Sequence, residues 1–148
     1  MQAVPAAVKL TVYADGASRG NPGPAAIGAS VRHPDGTELA TVSQRIGIGT
    51  NNQAEYRAAI AGVRKAREIG ATGIDLRMDS ELVVRQVTGQ YRVRNAALQP
   101  LFAALVAELE SAGPYSVGHV PRAENGRADA LANAALDGKP VHALAPNA

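Results

Sequence analysis

Four acidic residues carry the chemistry that this sequence can offer. Asp15 closes the alternating apolar run Leu10-Thr-Val-Tyr-Ala-Asp, just before a glycine- and proline-rich break that reaches Pro24. Glu55 opens an amphipathic helical stretch, Asp79 follows a short apolar run, and Asp129 heads the last helical stretch. Each has an ordinary structural use. Asp-Gly closes turns, Asn52 with Glu55 spells a capping box, and Asp79 can cap the helix after it. Asp129 gains roughly 0.3 to 1 kcal/mol from a helix dipole. Gathered on one sheet edge, the four would do something else. Like charges that are crowded and desolvated raise one another's pKa and need a compensating cation. With no cysteine in the chain, thiolate zinc sites and thiol nucleophiles are excluded. Oxygen donors alone suit Mg²⁺ or Mn²⁺, and two such ions about 3.5 to 4 Å apart clamp both oxygens of an in-line phosphoryl displacement. That is the chemistry of a nuclease.

The elements that must position these acids are readable from periodicity. A first strand delivers Asp15 to its tip, followed by a tight loop; strands over 25–32 and 38–48 follow, joined by the turn His33-Pro-Asp-Gly36. Tyr56, Ala59, Ile60, Val63 and Ala66 have the spacing of a helix over 53–69, with Gly70 as its left-handed end. A strand over 73–78, a helix over 80–87, a basic connection over 90–95, a helix over 96–112, a strand over 115–120 and a helix over 126–136 complete the order. Pro100 can move the start of the helix that contains it. Strands linked through helices run parallel with right-handed crossovers. The expected fold is therefore α/β, a five-stranded mixed sheet with strands 1–3 as an antiparallel meander and strands 4 and 5 parallel to strand 1, flanked by helices. Open sheets of this kind bind ligands at their carboxyl edge.

At 148 residues the chain is expected to form one domain over 1–137, with 138–148 as a flexible tail or a linker to a second domain. Aromatic residues are so few, 3%, that Ala, Val, Leu and Ile must fill the core. No stretch has the length and apolarity to span a membrane, and Met1 to Val8 lacks the form of a signal peptide. The expected compartment is the cytoplasm. Arg supplies twelve of the fifteen basic residues, a planar donor fork suited to phosphate, although arginine-rich composition alone also fits codon usage.

Tyr13-Ala-Asp-Gly-Ala-Ser-Arg-Gly-Asn-Pro-Gly23, Thr50-Asn-Asn-Gln-Ala-Glu-Tyr56, Met78-Asp-Ser-Glu81 and Gly118-His-Val-Pro-Arg-Ala-Glu-Asn-Gly-Arg-Ala-Asp129 together resemble ribonuclease H of type I, from about Lys9 to Leu136. The resemblance implies the ribonuclease H-like fold and hydrolysis of the RNA strand of RNA/DNA hybrids, leaving 3′-hydroxyl and 5′-phosphate ends. It implies two Mg²⁺ or Mn²⁺ ions, with Asp15 and Asp79 as central ligands. Glu55 would serve the ion near the attacking water and position a ribose hydroxyl, and Asp129 would complete the second ion's shell. His119 matches a mobile histidine that assists proton transfer or product release, a task suited to imidazole; a histidine at a strand end with no chemical role is the other reading.

For the hybrid, the resemblance implies contacts from Asn21, Asn51, Gln53 and Ser80, and a grip on a DNA phosphate by Thr50. Asn21 and Asn51 serve turn and capping chemistry equally well. Only 49 residues separate Asp79 from Asp129, fewer than in relatives with an extra helix and a basic loop. Arg85, Arg92 and Arg94 are the remaining basic patch, with Tyr91 either stacking or filling core, and three arginine contacts imply a salt slope of roughly −3 at most. The chain is expected to act as a monomer. Two rival readings stay open: a non-catalytic module that binds RNA/DNA hybrids, and a related nuclease with another nucleic-acid substrate.

Overall fold

The structure, a computed structural model, describes residues 7–141. Its centre is one mixed sheet in the order β3-β2-β1-β4-β5. β1 (Lys9–Ser18) pairs antiparallel with β2 (Gly23–Arg32), and β2 antiparallel with β3 (Glu38–Gly49). On the other flank β4 (Gly73–Met78) runs parallel to β1, and β5 (Tyr115–His119) parallel to β4. This is the α/β architecture expected. The helices are α1 (Asn51–Glu68), α2 (Glu81–Val87), α3 (Gln99–Ala112) and α4 (Gly126–Asp137), the last entered through a short 3₁₀ turn, Arg122–Asn125.

Neighbouring strand residues point to opposite sheet faces, and β2 shows which helix covers which. At Gly62 of α1 an added Cβ would meet Ala29 at 3.0 Å, whereas at Gly28 one would meet α4. α1, with α3 beside it, therefore lies on one face and α4 on the other. Between sheet and α1 sits a core of Leu10, Val12, Ile74, Leu76 and Val63, closed by Leu105 and Leu109. Aliphatic residues dominate it as expected, joined by the fully buried Tyr56 and Met78.

Several boundaries differ from the sequence reading. Asp15 is not at a strand tip: β1 continues three residues to Ser18, because Gly16, Ala17 and Ser18 keep their ladder partners Ile27, Ala26 and Ala25. The loop is then only 19–22, clipped by the Ser18 hydroxyl, which donates to the Gly49 carbonyl at 2.9 Å. α1 starts at Asn51, two residues early, and its capping box is Thr50 with Gln53 rather than Asn52 with Glu55. α2 is capped by Ser80, not Asp79. α3 starts at Gln99 with Pro100 in its first turn, where the missing N–H costs nothing. Of the expected tail, 138–148, residues from 142 onward lie outside the described residues, and Gly138 is the left-handed cap of α4. Among the described residues no helix is long and apolar enough to cross a membrane.

Two glycines bring the helices close enough to deliver acids. At Gly16 an added Cβ would stand 2.2 Å from the Ala54 carbonyl carbon, so β1 touches the first turn of α1. At Gly28 it would stand 2.2 Å from the Ala128 carbonyl oxygen. Gly28→Ala must lift α4 off the sheet, an overpacking cost of about 1–3 kcal/mol. Because Asp129 rides on α4, kcat should fall at temperatures where the variant is still folded; denaturant unfolding and rate measurements on the same sample check this.

Candidate active site

Parallel register brings the first two acids level. Tyr13 of β1 pairs with Arg77 of β4, so two residues further on Asp15 and Asp79 reach the same height, beyond the last shared pair. Glu55 is the fifth residue of α1, just past its first turn, where the glycine contact lets the Gly16 N–H donate to Glu55 Oε1 at 2.5 Å. Oxygens of Asp15, Glu55 and Asp79 lie within 4.8 Å of one another. Asp129, in the first turn of α4, lines the same cleft, of about 320 Å³, together with these three, Asn51 and Arg122. All four expected acids therefore meet at one place.

The cluster is crowded, with two of its acids buried and Asp79 and Asp129 half-buried. Asp15 and Glu55 are each 8% exposed. Burial first, then the hydrogen bond and charge of Glu55 and the charge of Asp79, push the Asp15 carboxyl up to about 10. Burial also raises Glu55, opposed by hydrogen bonds from Asp15 and the Gly16 N–H. Without a cation, Asp15 keeps its proton at neutral pH and shares it with Glu55. A cluster of carboxylates with no sulfur or imidazole among them, held at this cost, fits hard divalent cations such as Mg²⁺ or Mn²⁺.

The sign of the linkage is fixed by the raised value. Above the ordinary aspartate value of 3.8 the unfolded chain has lost a proton that folded Asp15 retains, so Asp15 destabilises the ion-free fold increasingly as pH climbs toward about 10. An ion that displaces this proton binds more tightly at higher pH. We expect the ion-induced rise in thermal midpoint to be larger at pH 8.5 than at pH 6; an equal rise at both would contradict the shared proton.

The other expected residues fall into three groups. Asn51 lines the cleft, and its backbone N–H donates to Asn21 Oδ1 at 3.1 Å, so Asn21 ties the β1–β2 loop to the start of α1. Thr50 and Gln53 cap α1 through reciprocal bonds of 3.1 and 2.9 Å, and Ser80 caps α2, accepting from the Val83 N–H. Asn21, Thr50, Gln53 and Ser80 thus make structural hydrogen bonds at helix starts, and of the five Asn51 is the one that lines the cleft. His119 is the exposed last residue of β5, paired with Met78, and is not among the residues that line the cleft. Arg85 stacks on the exposed ring of Tyr91, 5.4 Å from its centroid, which answers the question of Tyr91: it is a surface platform rather than core. Arg92 and Arg94 are exposed, with no ion-pair partner among the described residues.

Three supporting residues were not singled out from sequence. Asn125 is buried and donates to Asp79 Oδ1 and to the Ala14 carbonyl, each at 2.9 Å. Asn133 Nδ2 donates to Asp129 Oδ1 at 3.1 Å, an i+4 pairing that helical spacing alone could have flagged. Arg127 makes a two-pronged bond to Glu38, fastening α4 to β3.

A family model described as reverse transcriptase-like matches residues 13–135. The chain is 46% identical over 129 residues to ribonuclease HI of Halobacterium salinarum, covering 87% of this chain and 65% of that protein. It is 46% identical over 131 residues to a bifunctional protein of Mycobacterium tuberculosis, of which it spans only 36%. The crystal structure of RNase H1 from Halobacterium salinarum superposes with a TM-score of 0.86 at 46% identity, covering 88% of this chain and 98% of that one. That of LC11-RNase H1 in complex with RNA/DNA hybrid superposes at 0.83 with 38% identity, covering 87% and 97%.

Proposed function

The chain belongs to the type I ribonuclease H family, and from that premise we propose that it is a metal-dependent endoribonuclease that hydrolyses the RNA strand of RNA/DNA hybrids. The observation that carries this reading is the convergence of Asp15, Glu55 and Asp79 within 4.8 Å, with Asp129 on the same cleft. A relative solved with a hybrid bound supports the substrate class.

In this reading the four acids would hold two Mg²⁺ or Mn²⁺ ions, with Asp15 and Asp79 as central ligands, Glu55 serving one ion and Asp129 the other. Divalent ions at such a site supply Lewis acidity toward the scissile phosphate and lower the pKa of a bound water. Water adds to phosphorus and gives up a proton, the bond from phosphorus to O3′ breaks, O3′ takes up a proton, and the products carry 3′-hydroxyl and 5′-phosphate ends. Glu55, fixed by the Gly16 N–H, orients the ribose 2′-hydroxyl, the group that separates RNA from DNA. Asn51 and Asn21 at the rim offer amide contacts in the minor groove, Gln53 and Ser80 flank them, and the Thr50 hydroxyl keeps its own proton for a DNA phosphate. His119, exposed at the end of β5, assists proton transfer or product release. Arg85, Arg92 and Arg94 grip the backbone. The protein works as a monomer in the cytoplasm, with a second domain beyond the tail as the other arrangement.

A panel of substrates tests this. With Mg²⁺ present, the RNA strand of a hybrid should be cut, while the same RNA alone, paired with RNA, or a branched DNA stays whole. Binding without cutting would make the chain a hybrid-binding module; faster cutting of branched DNA would make it a different nuclease. Affinity for the hybrid should fall with salt at a log–log slope near −3 from the three arginines, and a slope near zero would remove them from the grip.

A further inference from the structure

Asn125 stands between the 3₁₀ turn and α4, at the position from which an asparagine side chain ordinarily caps a helix. It makes no cap bond. Instead both protons of its amide nitrogen turn toward the cleft, one to the carbonyl of Ala14, the residue before Asp15, and one to Asp79 Oδ1, each at 2.9 Å. The side chain is 1% exposed, and its own Oδ1 is buried with no hydrogen-bond partner. An orphaned buried carbonyl forfeits its hydrogen bonds to water with no replacement, a cost to the fold. A capping asparagine would turn this oxygen toward the first turn of α4.

We propose that Asn125 is a positioning residue: one neutral amide spans β1 and β4, sets the separation of Asp15 and Asp79, and reserves the second oxygen of Asp79 for a divalent cation. The inference rests on the metal-dependent reading above. Neutrality is essential to the role. A lysine here would compete with the cation for Asp79, and an aspartate would add charge to a cluster already crowded with it. Because Asn125 also begins α4, the same contact links the strand-borne acids to the helix that carries Asp129.

Partners that orient metal ligands typically change ion affinity 10- to 100-fold when removed. Titration calorimetry of the full chain with Mn²⁺ alone, without nucleic acid, reads this directly. Asn125→Ala should weaken Mn²⁺ binding at least tenfold while the circular dichroism spectrum and cooperative unfolding in chelator are kept. Hydrolysis should recover as Mn²⁺ is raised, which a disordered site would not do. Should the alanine variant fail to fold, Asn125→Ser serves instead, since serine caps α4 but is too short to span both acceptors; the same loss is expected. In an Asp79→Ala background the effect of Asn125→Ala on Mn²⁺ affinity should vanish. Unchanged affinity in a folded variant, or a tenfold loss that persists without Asp79, overturns the proposal. If the parent chain itself binds no Mn²⁺, both this inference and the metal-dependent reading fail.

Discussion

Asp15→Asn stops hydrolysis and, with divalent ions removed, makes the folded chain more stable. The two effects have one cause. Asp15 is the most deeply perturbed acid of the cluster, raised by burial and by Glu55 and Asp79 beside it. With a cation bound, its charge is an asset: a unit charge about 4 Å away at an effective dielectric near 20 contributes about 4 kcal/mol, which corresponds to about a thousandfold in rate. Without the cation, the same carboxyl is a burden that an amide of equal shape lacks. Each pKa unit of relief is worth about 1.4 kcal/mol, so even partial relief should raise the thermal midpoint in chelator by several degrees. The gain should grow from pH 5 to pH 9, since the burden grows with pH. A variant less stable than its parent in chelator would mean that Asp15 is a structural acid.

The second large effect lies away from the cleft. Arg127 and Glu38 form a two-pronged ion pair at 2.8 and 3.0 Å, with side chains 13% and 6% exposed, and Ser30 donates to Glu38 Oε2 at 2.6 Å. Removing Arg127 deprives a buried carboxylate of its two-pronged partner, although the Ser30 hydroxyl still donates to it. Arg127→Met should therefore cost about 1.5–3 kcal/mol, whereas replacing both residues with apolar ones of similar volume should recover most of it. The damage should reach catalysis too. α4 is held to β3 by this pair, by the Ser43 hydroxyl on the Leu131 carbonyl, and by Arg45 on the carbonyls of Ala135 and Leu136. Loosening the first of these moves Asp129. Urea unfolding of the single and double variants checks the stability; equal losses in both would show that packing, not charge, sets the cost.

How much of this was legible in the sequence depends on range. The four acids could be found because each stands beside a local signal, a strand end or a helix start. The sheet order followed from which connections were short and which contained helices. Where local signals misled, a distant partner had intervened. Gly16-Ala-Ser18 reads as a turn, yet it stays in β1 because Ala25, Ala26 and Ile27 pair with it. Glu55 reads as half of a capping box with Asn52, but its carboxylate is drawn to the Gly16 N–H, 39 residues back, and Thr50 with Gln53 caps the helix instead. Asn125 lies 111 residues from Ala14 and 46 from Asp79. No window of sequence joins them, and only the closed sheet brings them together. Gly28 is similar: nothing beside it shows that the backbone of α4 needs the room.

The most direct test of ion-assisted hydrolysis at the acid cluster is the initial rate at which a hybrid's labelled RNA strand is cut, measured against Mg²⁺ concentration for the parent chain and for Asp79→Asn. The parent rate should rise with Mg²⁺ from nothing in chelator, and the variant, folded and of the same shape, should be slower by about a thousandfold or more at every concentration. Cutting that persists in chelator, or an Asp79→Asn rate equal to the parent's, would contradict it.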